Sequence, residues 1–230
     1  LLLLTPHAFV SQDTIAKTVA YMDAHPKCGI LGVRLTGSDG DLQPSRRSFP
    51  TPVNTFLRRT GLLRWLDLPA TRQDLEEDHG TEAECDWVPG CYYLVRRQVL
   101  DDVGLFDPRF FLYFEEVDHC RRAREAGWTV TYLPSTSVIH LGGESAKSVA
   151  SLTQGRQIST LQIESELLYM RKHYGLGGFI LHMALVVLGD AILAAKDVLK
   201  RRPGAMQHLR STGATFRLAR STALGTRPTR

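Results

Sequence analysis

Apolar and polar positions along this chain recur with two different periods, and the switches between them mark its elements. Residues 1–4 are four consecutive leucines ended by Thr5-Pro6, and they read as a central strand buried on both faces. Pro6 turns the chain, because proline excludes the residue before it from helix. Residues 11–25 repeat at helical spacing: Ser11 is placed to cap, Ile15, Val19 and Met22 form the buried stripe, and Pro26 ends the helix. GILGVRL, residues 29–35, reads as a strand, with Asp39-Gly40 as the turn behind it. Residues 44–84 carry scattered prolines, arginines and acids around a modest apolar run from Phe56 to Leu68, and read as a mobile surface segment.

Periodicity returns at Asp86. WVPGCYYLV is rich in aromatic and β-branched residues and predicts a strand, followed by a short helix with Val99, Leu100 and Val103 on one face and Gly104 as its stop. From Glu116 a helix places Val117, Cys120, Ala123 and Ala126 on one face, pairs Asp118 with Arg122 and Arg121 with Glu125, and ends at Gly127. WTVTYL alternates as a strand, Pro134 marks a turn, and SVIHLGG is a further short strand. Residues 164–173 predict another helix, and residues 179–199 the most hydrophobic helix of the chain. No internal repeat is visible.

Length and composition narrow the class. A chain of 230 residues, 43% hydrophobic and 23% charged, suits a soluble α/β protein of one domain with appendages, or two small domains. Its net charge of +4 hides an asymmetry: residues 201–230 hold seven arginines and no acid, while residues 1–200 hold 21 basic and 24 acidic side chains. Such a tail suits an anionic lipid surface or a nucleic acid, or stays solvated and disordered. Nucleic acid ranks last, because the acidic body shows no basic stripe with interleaved aromatics. Cys28, Cys85, Cys91 and Cys120 have no Cys-x-x-Cys spacing and read as reduced thiols in a cytosolic compartment. The opening leucines lack a basic flank and do not make a signal peptide. A strand buried on both faces needs neighbours, so the expectation is that the start of the domain lies upstream of Leu1.

The helix FILHMALVVLGDAILAAKDVL poses a physical choice. Crossing a bilayer takes about 20 apolar residues, and an aspartate at the centre costs about 2.5–3.5 kcal/mol, so Asp190 argues against a span. His182, Asp190 and Asp197 make a narrow polar stripe, which suits a helix lying in the interface with Arg201 and Arg202 near anionic headgroups. The alternative is a helix packed on the domain or on a second subunit.

The chemistry concentrates in FFLYFEEVDHC. Glu115, Glu116 and Asp118 crowd three carboxylates into four positions, which makes at least one an easier proton acceptor. Acids in a first helical turn are also favoured by the helix dipole with no function at all. The run alone leaves both readings open.

WVPGCYYLVRRQVLDDVGLFDPRFFLYFEEVDHCRRAREAGWTVTYLPSTSVIHLGG, with LLLLTPH and GVRLTGSDGDLQPSRRSFPTP before it, resembles the carboxyl half of family 2 glycosyltransferases with the GT-A fold, in particular the rhamnosyltransferase-like branch. The resemblance covers residues 1–175 and implies a partial α/β GT-A domain lacking its amino-terminal nucleotide-binding part. An amphipathic interfacial helix over 176–202 and a basic, disordered tail over 203–230 complete the expected organisation. The implied activity is inverting transfer of a sugar, rhamnose being one candidate, from a nucleotide-diphosphate donor to a hydroxyl of a glycan or lipid-linked acceptor. Glu116 occupies the place of the family's base, usually aspartate, with Glu115 and Asp118 orienting donor or acceptor. Trp87 and Gly90 border the acceptor, and Arg46 and Arg47 suit a phosphate-bearing lid. His140 matches a family contact to metal or diphosphate. His7 stands where the family carries a metal-binding aspartate, so a divalent cation, Mg²⁺ or Mn²⁺, would rest on His7 and His140, or positive side chains would replace it. The implied location is cytoplasmic, peripheral to the inner face of the plasma membrane. The rival reading is a non-catalytic, membrane-associated glycan-binding protein on the same fold.

Overall fold

The computed structural model describes residues 1–65, 80–141 and 155–230. They form two compact units, Leu1–Phe49, Arg72–Asp107 and Glu115–Gly155 in the first, and Pro50–Thr71, Pro108–Phe114 and Arg156–Arg230 in the second. The strands are β1 (Leu2–Leu4), β2 (Ala8–Val10), β3 (Cys28–Thr36), β4 (Leu42–Gln43), β5 (Ala83–Glu84), β6 (Tyr92–Val95) and β7 (Thr129–His140). The helices are α1 (Thr14–Ala24), α2 (Pro52–Thr60), α3 (Arg97–Val103), α4 (Glu115–Glu125), α5 (Gly155–Leu199) and α6 (Ala205–Ser221).

All seven strands belong to the first unit, in the order β1-β6-β3-β7-β2, with β4 beside β3 and β5 beside β7. β3 and β7 are parallel, and β6 runs antiparallel to both β1 and β3. The carboxyl ends of β1, β3 and β7 therefore share one edge. Side chains alternate across the sheet, as the pleat requires. Leu31, Val33, Leu35, Tyr92 and Leu94 join Met22 of α1 in one core cluster. Ile30, Tyr93, Val95 and Val130 join Val99 of α3 and Cys120 and Ala123 of α4 in the other. The result is an α/β domain with helices on both faces.

Several expectations change on contact with this frame. Among the described residues β1 stands at one end of the strand order, and Leu1 and Leu4 are exposed. α1 buries Thr14, Thr18 and Met22, whereas Ile15 and Val19 face outward. Its face is chosen by hydroxyls, since Thr14 Oγ1 lies 2.7 Å from Thr136 Oγ1 and Thr18 Oγ1 2.7 Å from the Tyr92 hydroxyl. Pro134 does not end a strand. β7 runs on past it, and the register against β3 shifts so that Val33 faces Leu133 but Arg34 faces Ser137. Residues 134–136 are thus spliced out of the ladder, where a proline lacking an N–H does no harm.

Residues 44–65 are ordered too. In the second unit α2 opens with a reciprocal cap: Asn54 N donates to Thr51 Oγ1 at 3.0 Å, Thr51 N donates to Asn54 Oδ1 at 2.7 Å, and Pro52 sits in the first turn. Gly61 closes it in a left-handed conformation, φ 76°. The expected helices over 164–173 and 179–199 are the two parts of α5, broken at Gly175, φ 65°. The basic tail is not disordered, for α6 stands in it and buries Thr215 and Ala219. Leu167, Phe179, Met183 and Ala219 make a core cluster of this unit.

The polar stripe of α5 turns inward. Asp190 is fully buried, where it accepts from Arg59 Nε at 3.0 Å and from Thr212 Oγ1 at 2.6 Å. Asp197 lies 3.1 Å from His208 Nε2 of α6. Instead it is Leu176, Ile180, Leu181, Val187, Leu188 and Ile192 that are exposed. The four cysteines are free and buried.

The back of α4 is knitted by one polar relay. His119 is buried and donates from Nε2 to the Gly104 carbonyl at 3.0 Å, so its Nδ1 accepts from the Tyr93 hydroxyl at 2.8 Å. Burial pushes this imidazole down to about 4, which keeps it neutral. Tyr93→Phe leaves the buried Nδ1 without its donor and should lower unfolding free energy by about 1–3 kcal/mol in chemical denaturation. Ile15→Ala, on the outward face of α1, should change it by less than about 0.5 kcal/mol.

Candidate active site

Ligands of α/β sheets gather beyond the carboxyl ends of parallel strands. Two groups of candidate residues stand at that edge in the first unit. One lies where β1 ends, β6 begins and α4 starts. Thr5, just past β1, donates its N–H to the Cys91 carbonyl at 3.3 Å, and Gly90 comes so near α4 that a Cβ built on it would sit 4.0 Å from Glu116 Cβ. Nothing else lies within that radius, and the Gly90 backbone is not left-handed. The glycine is therefore not required by conformation; it leaves a small recess beside the acid.

Burial sets the charge state here. It pushes Glu116 up from the ordinary 4.5 to about 8, the neighbouring Glu115 carboxyl adds to the rise, and the amides of Glu116, Val117 and Gly90 partly offset it. Burial raises Glu115 as well. Among the described residues, Glu115 Oε2, Glu116 Oε2 and Thr5 Oγ1 are buried oxygens that meet no hydrogen-bond partner. Buried polar atoms are normally satisfied, so each of these oxygens has capacity left to accept a hydrogen bond. The residues leading into these acids are strained: Tyr113 and Phe114 both have positive φ, 67° and 69°. Such backbone costs about 1–3 kcal/mol per residue and concentrates at functional sites.

Asp118 plays a different part. It is buried, accepts from Arg122 Nε at 2.8 Å, and Arg122 in turn donates to the carbonyls of Val103 and Leu105, the latter at 2.7 Å. The carboxylate thus ties α4 to the end of α3. Trp87 donates from Nε1 to the Ser48 carbonyl at 3.0 Å and pairs with Arg47 through mutual backbone bonds of 3.1 Å. The Arg47 guanidinium lies 5.5 Å from the indole centroid, and Arg46 is buried. Arg47, one of the two arginines predicted for a phosphate lid, is therefore built into the same short bridge as the tryptophan predicted for the acceptor.

The second group stands where β7 meets β2. The rings of His7 and His140 are 5.5 Å apart at 37°. His140 Nδ1 donates to Gln43 Oε1 at 2.8 Å, and Gln43 Nε2 returns a bond to the His140 carbonyl at 2.9 Å. Burial lowers the His140 pKa, with the His7 charge adding to the effect. Among the described residues no three His, Cys, Asp or Glu side chains gather to hold a metal ion. Two imidazoles without a carboxylate do not meet the oxygen demand of Mg²⁺ and make only a partial set for Mn²⁺. Gly142, the glycine of the His-x-Gly sequence, lies outside the described residues.

Thr5, Gln43 and the strained Tyr113-Phe114 pair were not singled out from the sequence. Backbone sign and orphaned oxygens leave no trace in residue pattern; Gln43 lies within the motif GVRLTGSDGDLQPSRRSFPTP.

A sheet with helices on both faces and acids at the carboxyl edge of its parallel strands is the architecture of a GT-A-like glycosyltransferase domain. The chain belongs to the family described as glycosyltransferase like family 2, which it matches over residues 7–159. It is 36% identical over 118 residues to N-acetylglucosaminyl-diphospho-decaprenol L-rhamnosyltransferase of Mycobacterium tuberculosis, covering 50% of this chain and 38% of that protein. It is 35% identical over 66 residues to rhamnosyltransferase WbbL of Escherichia coli, covering 29% of this chain and 25% of that protein. Low-salt glycan biosynthesis hexosyltransferase Agl10 of Haloferax volcanii is 29% identical over 91 residues, covering 40% of this chain and 27% of that protein. The match thus spans less than half the length of each of these relatives.

The electrostatics make one solution prediction. Between about pH 4.5 and 8 the folded protein holds a proton on Glu116 that the unfolded chain releases, so stability contributed by this group falls as pH climbs through that window. In thermal melts, Glu116→Gln should gain on the wild type steadily from about pH 5 to pH 8, the range bounded by those two values. A constant difference across the range would place Glu116 in water.

Proposed function

We propose that this chain carries the acceptor and base side of an inverting glycosyltransferase. The donor is a nucleotide-diphosphate sugar, and the rhamnosyltransferase names among its relatives favour a deoxyhexose such as rhamnose. The acceptor is a hydroxyl of a glycan or lipid-linked saccharide. The observation that supports this best is the buried Glu116 carboxyl with an orphaned oxygen beside Gly90.

The chemistry needs one proton acceptor. A nucleotide diphosphate leaves readily once its charge is balanced, so only the incoming hydroxyl has to lose a proton. Glu116 takes that proton as the acceptor oxygen bonds the anomeric carbon, and the electrons of the carbon–oxygen bond depart with the diphosphate. Attack opposite the leaving group inverts the centre. A carboxyl raised to about 8 is a far stronger base when ionised than an ordinary glutamate, and it titrates near working pH. Glu115 holds the second charge that keeps it so. Glu116→Gln preserves size and should cut sugar transfer by about 10²- to 10⁴-fold, read by product formation from a labelled donor. In the wild type the rate should rise with pH to a plateau above about 8. Near-normal transfer by the Gln variant would leave the acids to the helix dipole alone.

The location we propose is the cytoplasmic face of the plasma membrane, reached through the second unit. By length and composition Thr160–Leu199 is apolar enough to cross a bilayer, with mean hydropathy 2.1 in its most apolar stretch. Its inward bonds from Asp190 and Asp197 to Arg59, Thr212 and His208 favour lying flat. The outward residues Ile180, Val187 and Leu188 then enter the lipid, while Arg210, Arg217 and Arg220 of α6, beside the exposed Met206, Leu209 and Phe216, meet anionic headgroups. The protein should sediment with phosphatidylglycerol vesicles, and Ile180→Ser/Val187→Ser/Leu188→Ser should release it. Unchanged sedimentation of the triple variant would sink the proposed surface.

A further inference from the structure

The last residues of the second unit fold back on the helix that supports the aromatic loop Pro108–Phe114. Glu164 of α5 is almost fully buried, and its carboxylate accepts from Thr229 N at 3.1 Å, Thr229 Oγ1 at 2.6 Å and an Arg230 guanidinium nitrogen at 3.3 Å. The Arg230 guanidinium also lies 4.4 Å from the centroid of the otherwise exposed Phe111 ring. The turn that brings this segment round is built with care. Ala223, Leu224 and Gly225 are all left-handed, at φ 48°, 59° and 74°, and a Cβ at Gly225 would sit 2.5 Å from the Leu167 carbonyl oxygen. Only glycine fits there.

The same helix holds the loop from its other side. Ser165 Oγ donates to the Leu112 carbonyl at 2.9 Å, and the Tyr169 ring lies 5.4 Å from Phe114. Phe111 is thus clamped by Arg230, Leu112 by Ser165 and Phe114 by Tyr169. The next residue in the chain is Glu115. Residues 113 and 114 keep their left-handed backbone only while their surroundings over-determine it.

We propose that residues 225–230 are a strap that locks the aromatic loop Pro108–Phe114 of the second unit through Glu164 and Phe111, and so holds the left-handed Tyr113-Phe114 pair in place.

Amide hydrogen exchange on the whole chain, with Arg230→Ala, Phe111→Leu and Phe111→Tyr, supplies the test. The first two should speed exchange at residues 110–114 and leave the β3 and β7 amides unchanged, while Phe111→Tyr, which keeps the ring under the guanidinium, should match the wild type. Unchanged exchange at residues 110–114 in Arg230→Ala and Phe111→Leu overturns the strap.

Discussion

The parallel pairing of β3 with β7 is the contact on which the first unit depends. It spans both strands, and its single large irregularity decides where the site falls. From Ile30 opposite Val130 to Val33 opposite Leu133 the strands run in step; then three residues leave the ladder and pairing resumes with Arg34 opposite Ser137. Without that insertion His140 would overshoot the edge by roughly 10 Å, at about 3.3 Å per residue. With it, Thr36 lies opposite Ile139, His140 pairs with Ala8, and β2 with His7 is carried to the same edge. The spliced-out residues are not idle, since Thr136 is the hydroxyl on which α1 docks.

At that edge two effects compete over the acids of α4. A helix N-terminus favours their ionised form by about 0.3–1 kcal/mol, which is less than one pKa unit at about 1.4 kcal/mol per unit. Burial acts the other way on Glu116, and the displacement from 4.5 to about 8 is several units. Desolvation wins. The dipole therefore explains why acids are tolerated in this turn, and it does not explain the state in which they are held.

What could be read from residue order was whatever is settled locally. Gly104 and Gly127 stop their helices with positive φ, and Asp118–Arg122 and Arg121–Glu125 pair one turn apart. Trp87, Gly90 and Glu116 were singled out through the order of motifs in the family resemblance, and their roles are proposals. Features that need a distant partner were not. A threonine face on α1 loses to Ile15 and Val19 on any hydrophobic count, and only Thr136 and Tyr92 make it the inner one. α2 hid for a different reason: Thr51-Pro52-Val53-Asn54 and Gly61 are full helix signals, overshadowed by the prolines, arginines and acids around them. α6 gains its inner face from α5, and its own residues mix Arg210, Arg217 and Arg220 with small and scattered apolar side chains. The orphaned Thr5 hydroxyl and the left-handed Tyr113-Phe114 pair belong to tertiary structure alone.

Asp190 carries a consequence for how this family can change over time. Its charge is sealed among Arg59 and Thr212, so losing Arg59 alone strands an uncompensated anion in an apolar helix bundle. Replacing both members with apolar side chains of similar volume carries no such penalty. Drift at these sites must therefore pass through paired exchanges, and a lineage with leucine at 190 should have surrendered its arginine at 59. The two positions, 131 residues apart in the chain, should therefore change together.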